Sequence, residues 1–130
     1  MNQVLIVDDS PTIRRMVRAS LADLAGGAEF VEAGSGLEAI ERLALGPVHL
    51  IILDLNMPDL HGLEVLAFVR SHAKFRGVPV IVLTTRGDDA HRAAALQAGA
   101  TAFMTKPFVP AALAARANEL LQLPMSAGHA

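Results

Sequence analysis

Three carboxylates, a hydroxyl and an ammonium group each follow a short apolar run of the sequence, at Asp8, Asp9, Asp54, Thr84 and Lys106. In an open parallel sheet, ligands bind in the crevice beyond the carboxyl ends of the strands. Three carboxylates gathered in such a crevice repel each other and cannot all stay ionised without a cation. Oxygen ligands favour a hard divalent ion, and Mg²⁺ is our first choice because it binds one or two carboxylates together with phosphate oxygens.

The chemistry that suits this set of side chains is phosphoryl transfer. Catalysis of that reaction consists mostly of positioning and charge neutralisation. The hydroxyl of Thr84 can donate a hydrogen bond to a phosphoryl oxygen, and the ammonium group of Lys106 can neutralise phosphoryl charge. Asp54 directly follows a continuous apolar run, so it stands where a reactive carboxylate would be placed.

These residues need a fold that brings distant strand ends together, and the sequence predicts one. Short apolar runs indicate five strands, and the third is predicted to be buried on both faces because its apolar run is continuous. The predicted strands lie at residues 4–7, 29–33, 48–53, 79–83 and 102–105. Five helices alternate with them, which predicts an α/β fold with a doubly wound five-stranded parallel sheet in the order 2-1-3-4-5. In that order Asp8 and Asp9 should lie beside Asp54.

The predicted helix boundaries rest on capping and helix-breaking residues. Ser10 and Pro11 fit the N-cap and the first position of a helix, and Gly26-Gly27 should end that helix. Its predicted apolar stripe comprises Ile13, Met16, Val17, Leu21 and Leu24. A capping box from Ser35 to Glu38 predicts the start of the second helix.

The chain suits one domain, which we place at residues 1–123, followed by a short, flexible tail at 124–130. With 130 residues, 52% hydrophobic and 18% charged side chains, it can bury one core but not two. The last helix should begin at Pro110, although Val109 before it is not a polar capping residue. Pro124 should end this helix.

Composition argues against several classes of function. The net charge is −2 and the basic residues are scattered, so we expect no direct binding to nucleic acid. The absence of cysteine excludes disulfides and thiol nucleophiles. The sequence has no signal-peptide pattern and no apolar run of membrane length, so we expect a cytoplasmic protein without membrane association.

Together these residues resemble the receiver (CheY-like) domain of two-component response regulators. The resemblance rests on Asp8-Asp9, on Leu-Asp-Leu-Asn-Met-Pro around Asp54, on Thr84 and on Lys106-Pro107-Phe108. It covers residues 3–121. CheY is itself a known example of the strand order given above, so the predictions of fold and family are not independent. Each motif alone is weak, whereas all of them in the right order are specific.

The resemblance implies that Asp54 is the phosphoacceptor, which takes a phosphoryl group from a sensor histidine kinase or a histidine phosphotransfer protein. It implies a Mg²⁺ ion bound by the carboxylates of Asp9 and Asp54, by the backbone carbonyl of Asn56 and, largely through water, by Asp8. Lys106 would pair with the phosphoryl group. The protein would be a signalling switch rather than an enzyme, since it would catalyse only its own phosphorylation and dephosphorylation.

The resemblance also implies a two-state switch made of Thr84 and Phe103. In the family, the threonine moves to bond the phosphoryl group and the aromatic residue turns inward, which remodels the surface of the fourth helix, fifth strand and fifth helix. That surface would bind an effector protein that the sequence does not identify, and it could support a phosphorylation-dependent dimer. Asn56 and Arg86 stand at two positions that tune the lifetime of the phosphoryl group. The resemblance suggests a cis peptide bond before Pro107.

Two other functions fit parts of the pattern. A phosphatase that forms an aspartyl-phosphate would need a second acid two residues after the nucleophile, where this chain has Asn56. Turnover of phosphate esters would support that function. A pseudo-receiver would bind partners without phosphorylation, and a failure to bind Mg²⁺ would support it.

Structural roles also compete at single positions. Asp8 and Asp9 could simply favour the positive N-terminus of a helix. Asp59, together with either Asp88 or Asp89, fits a helix cap better than a metal ligand. The histidines show no pairing at ligand spacing, which favours structural or solvated roles for all five. They are His49, His61, His72, His91 and His129.

Overall fold

Five strands alternate with five helices in the computed structural model. The structure describes residues 1–57, 59–85 and 87–129, and for residues 122–129 it describes the backbone only. The strands are β1 (Asn2–Val7), β2 (Ala28–Ala33), β3 (Leu50–Leu53), β4 (Val80–Thr84) and β5 (Ala102–Thr105). The helices are α1 (Pro11–Ser20), α2 (Gly36–Leu45), α3 (Gly62–Ser71), α4 (Asp89–Gln97) and α5 (Pro110–His129). Arg86, to which we assigned a tuning role, and Pro58 lie outside the described residues.

The five strands form one parallel sheet in the order β2-β1-β3-β4-β5, which confirms the predicted topology. Val7 pairs with Leu53 at the ends of β1 and β3. Asp8 and Asp54, the residues that follow, therefore leave the sheet side by side.

Helices cover both faces of the sheet, as expected for a doubly wound fold. On one face the core contains buried residues of α2, α3 and α4, and on the other it contains buried residues of α1 and α5. β3 contributes to both cores, with Ile51 and Leu53 in the first and Leu50 and Ile52 in the second. This strand is therefore buried on both faces, as its continuous apolar run predicts.

α1 begins as predicted but ends early. The Ser10 hydroxyl accepts a hydrogen bond from the Ile13 N–H at 3.2 Å, while the helix ends at Ser20 instead of reaching Gly26-Gly27. The Ser20 hydroxyl donates to the carbonyl of Met16, a local bond by which serine competes with the helical pattern. Met16 is 43% exposed, so its predicted place in the buried stripe is wrong.

The first turn of α2 is capped from two directions. The Ser35 hydroxyl accepts from the N–H of Glu38 at 3.1 Å, as predicted for a capping box, whereas the Glu38 carboxylate accepts from Gly34, one residue before the cap. The carboxylate of Asp59 accepts from the N–H groups of Gly36 and Leu37. These bonds, led by the one from Leu37, hold the pKa of Asp59 below its ordinary value. Asp59 therefore is a helix cap, but for α2 rather than for the helix that follows it.

α5 begins at Pro110 as predicted and continues to His129, past the predicted end at Pro124. A proline inside a helix costs about 3 kcal/mol, but leucine, methionine and alanine around it are strong helix formers. The division into a domain at 1–123 and a tail at 124–130 stays a prediction. Within the described part of the chain, no helix combines the length and the hydropathy needed to cross a bilayer.

Arg70 ties the end of α3 to two neighbouring loops. Its Nε donates to the carbonyl of Gly99 at 2.8 Å, its Nη1 donates to the carbonyls of Val78 and Arg76, and its Nη2 donates to the Thr101 hydroxyl. No acidic partner of Arg70 is present among the described residues, so the guanidinium serves here as a fork of hydrogen-bond donors.

Arg70→Met should lower the free energy of unfolding by about 1–2 kcal/mol, because the carbonyls that lose a donor are partly buried. Chemical denaturation measures the change. Arg15→Met on the exposed side of α1 is the matched control and should change stability by less than about 0.5 kcal/mol. Equal effects of the two substitutions would show that the Arg70 bonds do not stabilise the fold.

Candidate functional site

The carboxylates of Asp8, Asp9 and Asp54 lie together at the carboxyl end of the sheet. One oxygen of each lies within 4.8 Å of the other two, and no other group of three potential metal ligands occurs among the described residues. Asp8 and Asp54 are 3% and 4% exposed, while Asp9 faces solvent. The site is therefore a half-closed acidic crevice with one open side.

Backbone hydrogen bonds hold the two buried acids in place. The N–H of Asp8 donates to the carbonyl of Ala33 on β2, and the N–H of Asp54 donates to the carbonyl of Val7 on β1. The Asp8 carboxylate also accepts from the N–H of Ser10 at 2.9 Å. Both acids thus extend the strand pairing of β1 beyond the sheet, which fixes the direction of their side chains.

Lys106 closes the crevice from the end of β5. Its Nζ lies 2.6 Å from an oxygen of Asp8 and 3.6 Å from an oxygen of Asp54. Its N–H donates to the carbonyl of Thr84, and the peptide bond to Pro107 is cis, as the resemblance suggests. The ammonium group thus contacts two of the three acids and leaves Asp9 without a described cationic partner.

The electrostatics of the crevice disfavour a charged Asp54. Burial and, next, the nearby carboxylate of Asp8 raise the pKa of Asp54 above its ordinary value of 3.8, and Asp9 adds to the effect. Lys106 and the N–H of Asn56 oppose the rise without cancelling it. One ammonium group therefore does not neutralise three carboxylates, and a further cation would be stabilised here.

Asn56 links Asp54 to Thr84. Its N–H donates to the carboxylate of Asp54 at 3.3 Å, and its side-chain Nδ2 donates to the Thr84 hydroxyl at 3.4 Å. Thr84 is fully buried at the end of β4, whereas Asn56 is exposed. The resemblance implies a backbone role and a tuning role for Asn56, but nothing in the sequence indicates this side-chain contact.

Phe103 lies on β5, where it pairs with Val82 of β4, and is 8% exposed. The guanidinium carbon of Arg92 lies 5.7 Å from the centre of its ring, a distance typical of a cation–π contact. An open cavity of about 350 Å³ adjoins the ring, and its walls include Arg92, Leu96 and Arg116. Phe103 is thus a core residue that also borders an accessible surface between α4, β5 and α5.

The histidines have structural roles where their side chains are described, as predicted. The Nδ1 atom of His61 accepts from the N–H of Leu63 and caps α3. His49 accepts from a backbone N–H of β1, His72 packs at a tilt against the rings of Phe68 and Phe75, and His91 pairs with Asp88. Asp88 caps α4, which confirms its predicted role. The side chain of His129 lies outside the described residues.

Comparisons with known proteins agree with this geometry. The family model of the response regulator receiver domain matches residues 4–118. Chemotaxis protein CheY1 of Helicobacter pylori is 40% identical over 112 residues, which cover 85% of this chain and 90% of that protein. A CheY homolog of Campylobacter jejuni is 38% identical over 120 residues and 92% of each chain. The structure of CheY4 of Vibrio cholerae superposes with a TM-score of 0.84 at 34% identity, covering 92% of this chain and 98% of that one.

The family match spans most of the chain, and the relatives are similar over nearly their whole length. CheY-like receiver domains are signalling switches that interact with histidine kinases and with downstream effectors. The acidic crevice is compatible with the Mg²⁺ ion that is general for such domains. The chain therefore belongs to the response regulator receiver domain family, the CheY-like switches of two-component phosphorelay signalling.

Proposed function

We propose that Asp54 accepts a phosphoryl group from a histidine kinase or a histidine phosphotransfer protein, in a Mg²⁺-dependent reaction that switches a partner-binding surface. The observation that carries this proposal is the contact of Lys106 with two of three carboxylates that lie within 4.8 Å of one another. We place this reaction in the cytoplasm. Apart from its own phosphorylation and dephosphorylation, the protein catalyses no reaction in this proposal.

The donor set fits Mg²⁺. All side-chain ligands are carboxylate oxygens. Burial and, next, the carboxylate of Asp8 raise the pKa of Asp54, and a bound cation would offset both effects. Asp9 and Asp54 would hold the ion directly, Asn56 through its backbone carbonyl, and Asp8 largely through water. When bound, Mg²⁺ neutralises the charge shared by the acids and the incoming phosphoryl oxygens.

In the proposed reaction, a carboxylate oxygen of Asp54 forms a bond to phosphorus as the P–N bond of the donor phosphohistidine breaks. The imidazole nitrogen keeps the electron pair of that bond. Lys106 lies 3.6 Å from Asp54 and can bind a phosphoryl oxygen once its hold on Asp8 loosens. Asp54 is a weak nucleophile, so positioning and charge neutralisation supply most of the rate.

The phosphoryl group adds charge and acceptor oxygens beside Thr84, whose hydroxyl then moves to donate to it. That movement would favour an inward position of Phe103 and change the surface between α4, β5 and α5. We propose that an effector protein, or a second phosphorylated copy of this chain, binds this changed surface.

Incubation with a small acyl phosphate and Mg²⁺ tests the proposal. We expect one phosphoryl group per chain, found by mass spectrometry on the peptide that carries Asp54, and none when Mg²⁺ is removed by chelation. A phosphoryl group on another residue would contradict the assignment. Release of many equivalents of phosphate from simple phosphate esters would favour a phosphatase instead.

Lys106→Met should tighten the binding of Mg²⁺ to the unphosphorylated protein by about tenfold, because an ammonium group no longer competes for Asp8 and Asp54. The same change should slow phosphorylation, since phosphoryl charge loses a partner. Isothermal titration measures the affinity for Mg²⁺. Lys74→Met on the exposed surface is the control, and an equal affinity in both variants would contradict the competition.

A further inference from the structure

Asn56 contacts both the proposed phosphoacceptor and the proposed switch residue. Its backbone N–H donates to Asp54, and its side-chain amide donates to the hydroxyl of Thr84, 28 residues away in sequence. Asp54 and Asn56 follow β3, and Thr84 is the last residue of β4, which pairs with β3 in parallel. Asn56 is therefore placed to influence how Thr84 meets a group attached to Asp54.

The direction of the side-chain bond determines what Thr84 can do. A hydroxyl has one proton to donate and two lone pairs that accept. The Nδ2–H of Asn56 occupies one lone pair of Oγ1, so the hydroxyl proton points away from Asn56. A phosphoryl oxygen has no proton to offer at neutral pH and needs such a donor.

We propose that Asn56 is a positioning residue, whose side-chain amide orients the Thr84 hydroxyl as a hydrogen-bond donor to the phosphoryl group on Asp54. Asn56 thereby sets how completely phosphorylation is transmitted to Phe103 and the surface around it. This inference rests on the proposed function of Asp54. It concerns the switching equilibrium of the phosphorylated protein rather than the lifetime of the phosphoryl group.

Substitutions that replace the side-chain amide of Asn56 can distinguish the proposed positioning of Thr84 from an effect of side-chain packing. Asn56 is exposed, so its substitution should leave the urea midpoint of unfolding unchanged. Asn56→Asp replaces a donor by a carboxylate that only accepts, so the Thr84 proton would turn toward residue 56 and away from the phosphoryl group. Asn56→Ala removes the donor without adding charge.

A double-mutant cycle with Thr84→Val provides the test. The full chain is phosphorylated with an acyl phosphate and Mg²⁺, and the Phe103 ring signals are followed by NMR at equal phosphorylation measured by mass spectrometry. We expect Asn56→Asp to lower the equilibrium constant for switching by about tenfold and Asn56→Ala by about threefold. Neither change should have a further effect in Thr84→Val, because the hydroxyl through which Asn56 acts is gone.

The same loss in the Thr84→Val background, or full switching in Asn56→Asp, would overturn the inference. The first outcome would assign the effect to charge or packing at position 56 rather than to Thr84. Absence of phosphorylation in the unsubstituted protein would overturn the proposed function and the inference with it. Normal phosphorylation with additive effects would overturn the inference alone.

Discussion

Asp54→Asn should take up no phosphoryl group from an acyl phosphate, and it should raise the free energy of unfolding at neutral pH by about 0.5–2 kcal/mol, the range common for single stabilising substitutions. The amide lacks the nucleophilic oxygen, so phosphorylation is lost entirely. The gain in stability follows because the variant no longer buries a charged group at position 54 and, next, because the repulsion by Asp8 and, more weakly, by Asp9 is removed. We therefore expect that the carboxylate required for phosphorylation lowers the free energy of unfolding.

The gain in the free energy of unfolding of Asp54→Asn should depend on pH in a defined direction. The folded state raises the pKa of Asp54 above its ordinary value of 3.8, so the native state holds this proton more tightly than the unfolded chain. The unsubstituted protein therefore loses stability as the pH rises from 3.8 through the folded pKa, and the loss is complete above it. Below 3.8 both states are protonated, and the difference between variant and wild type should be small.

Urea denaturation over a pH series, without divalent cations, measures this difference. Mg²⁺ should shrink it at neutral pH, since the bound ion stabilises only the protein that keeps Asp54. Asp23→Asn in the exposed turn after α1 serves as the control and should leave stability within about 0.5 kcal/mol at every pH. A variant less stable than wild type at neutral pH would mean that the carboxylate of Asp54 is favourable in the fold.

Much of the fold could be predicted because its signals are local. The apolar runs at Val4–Val7 and Leu50–Leu53 set the strands, and capping residues such as Ser10 set the starts of helices. Parallel strands with short connections then permit few topologies. The convergence of Asp8 with Asp54 follows from that topology alone, since both residues leave the sheet at the same end.

The contacts that could not be predicted join side chains far apart in sequence. Asp59 caps α2 across 23 residues, and Asn56 reaches Thr84 across 28. Neither contact produces a periodic pattern in the sequence, because each depends on the conformation of a loop that packs against other elements of the fold. The convergence of the carboxylates with Lys106 could therefore be predicted from the strand order, whereas the hydrogen bonds that orient these side chains required the structure.

Gly62 shows how strongly the site depends on such a loop. Its N–H donates to the carbonyl of Leu55 at 3.0 Å, and it is the first residue of α3. A β-carbon added at Gly62 would lie 2.5 Å from the carbonyl oxygen of Asp54 and from the Cα of Leu55. Both are backbone atoms, so they cannot yield unless the segment that carries Asp54 moves.

Gly62→Ala should therefore lower the free energy of unfolding by about 3 kcal/mol and slow phosphorylation by about a hundredfold, since the reacting carboxylate is displaced. Helix propensity alone predicts the opposite sign, because alanine is favoured over glycine in a helix by about 0.5–1 kcal/mol. Gly77→Ala is the matched control, since an added β-carbon there meets no atom within 4 Å. Equal stability and equal phosphorylation rates of the two variants would show that α3 can shift without moving Asp54, and that the tight packing at Gly62 does not position the phosphoacceptor.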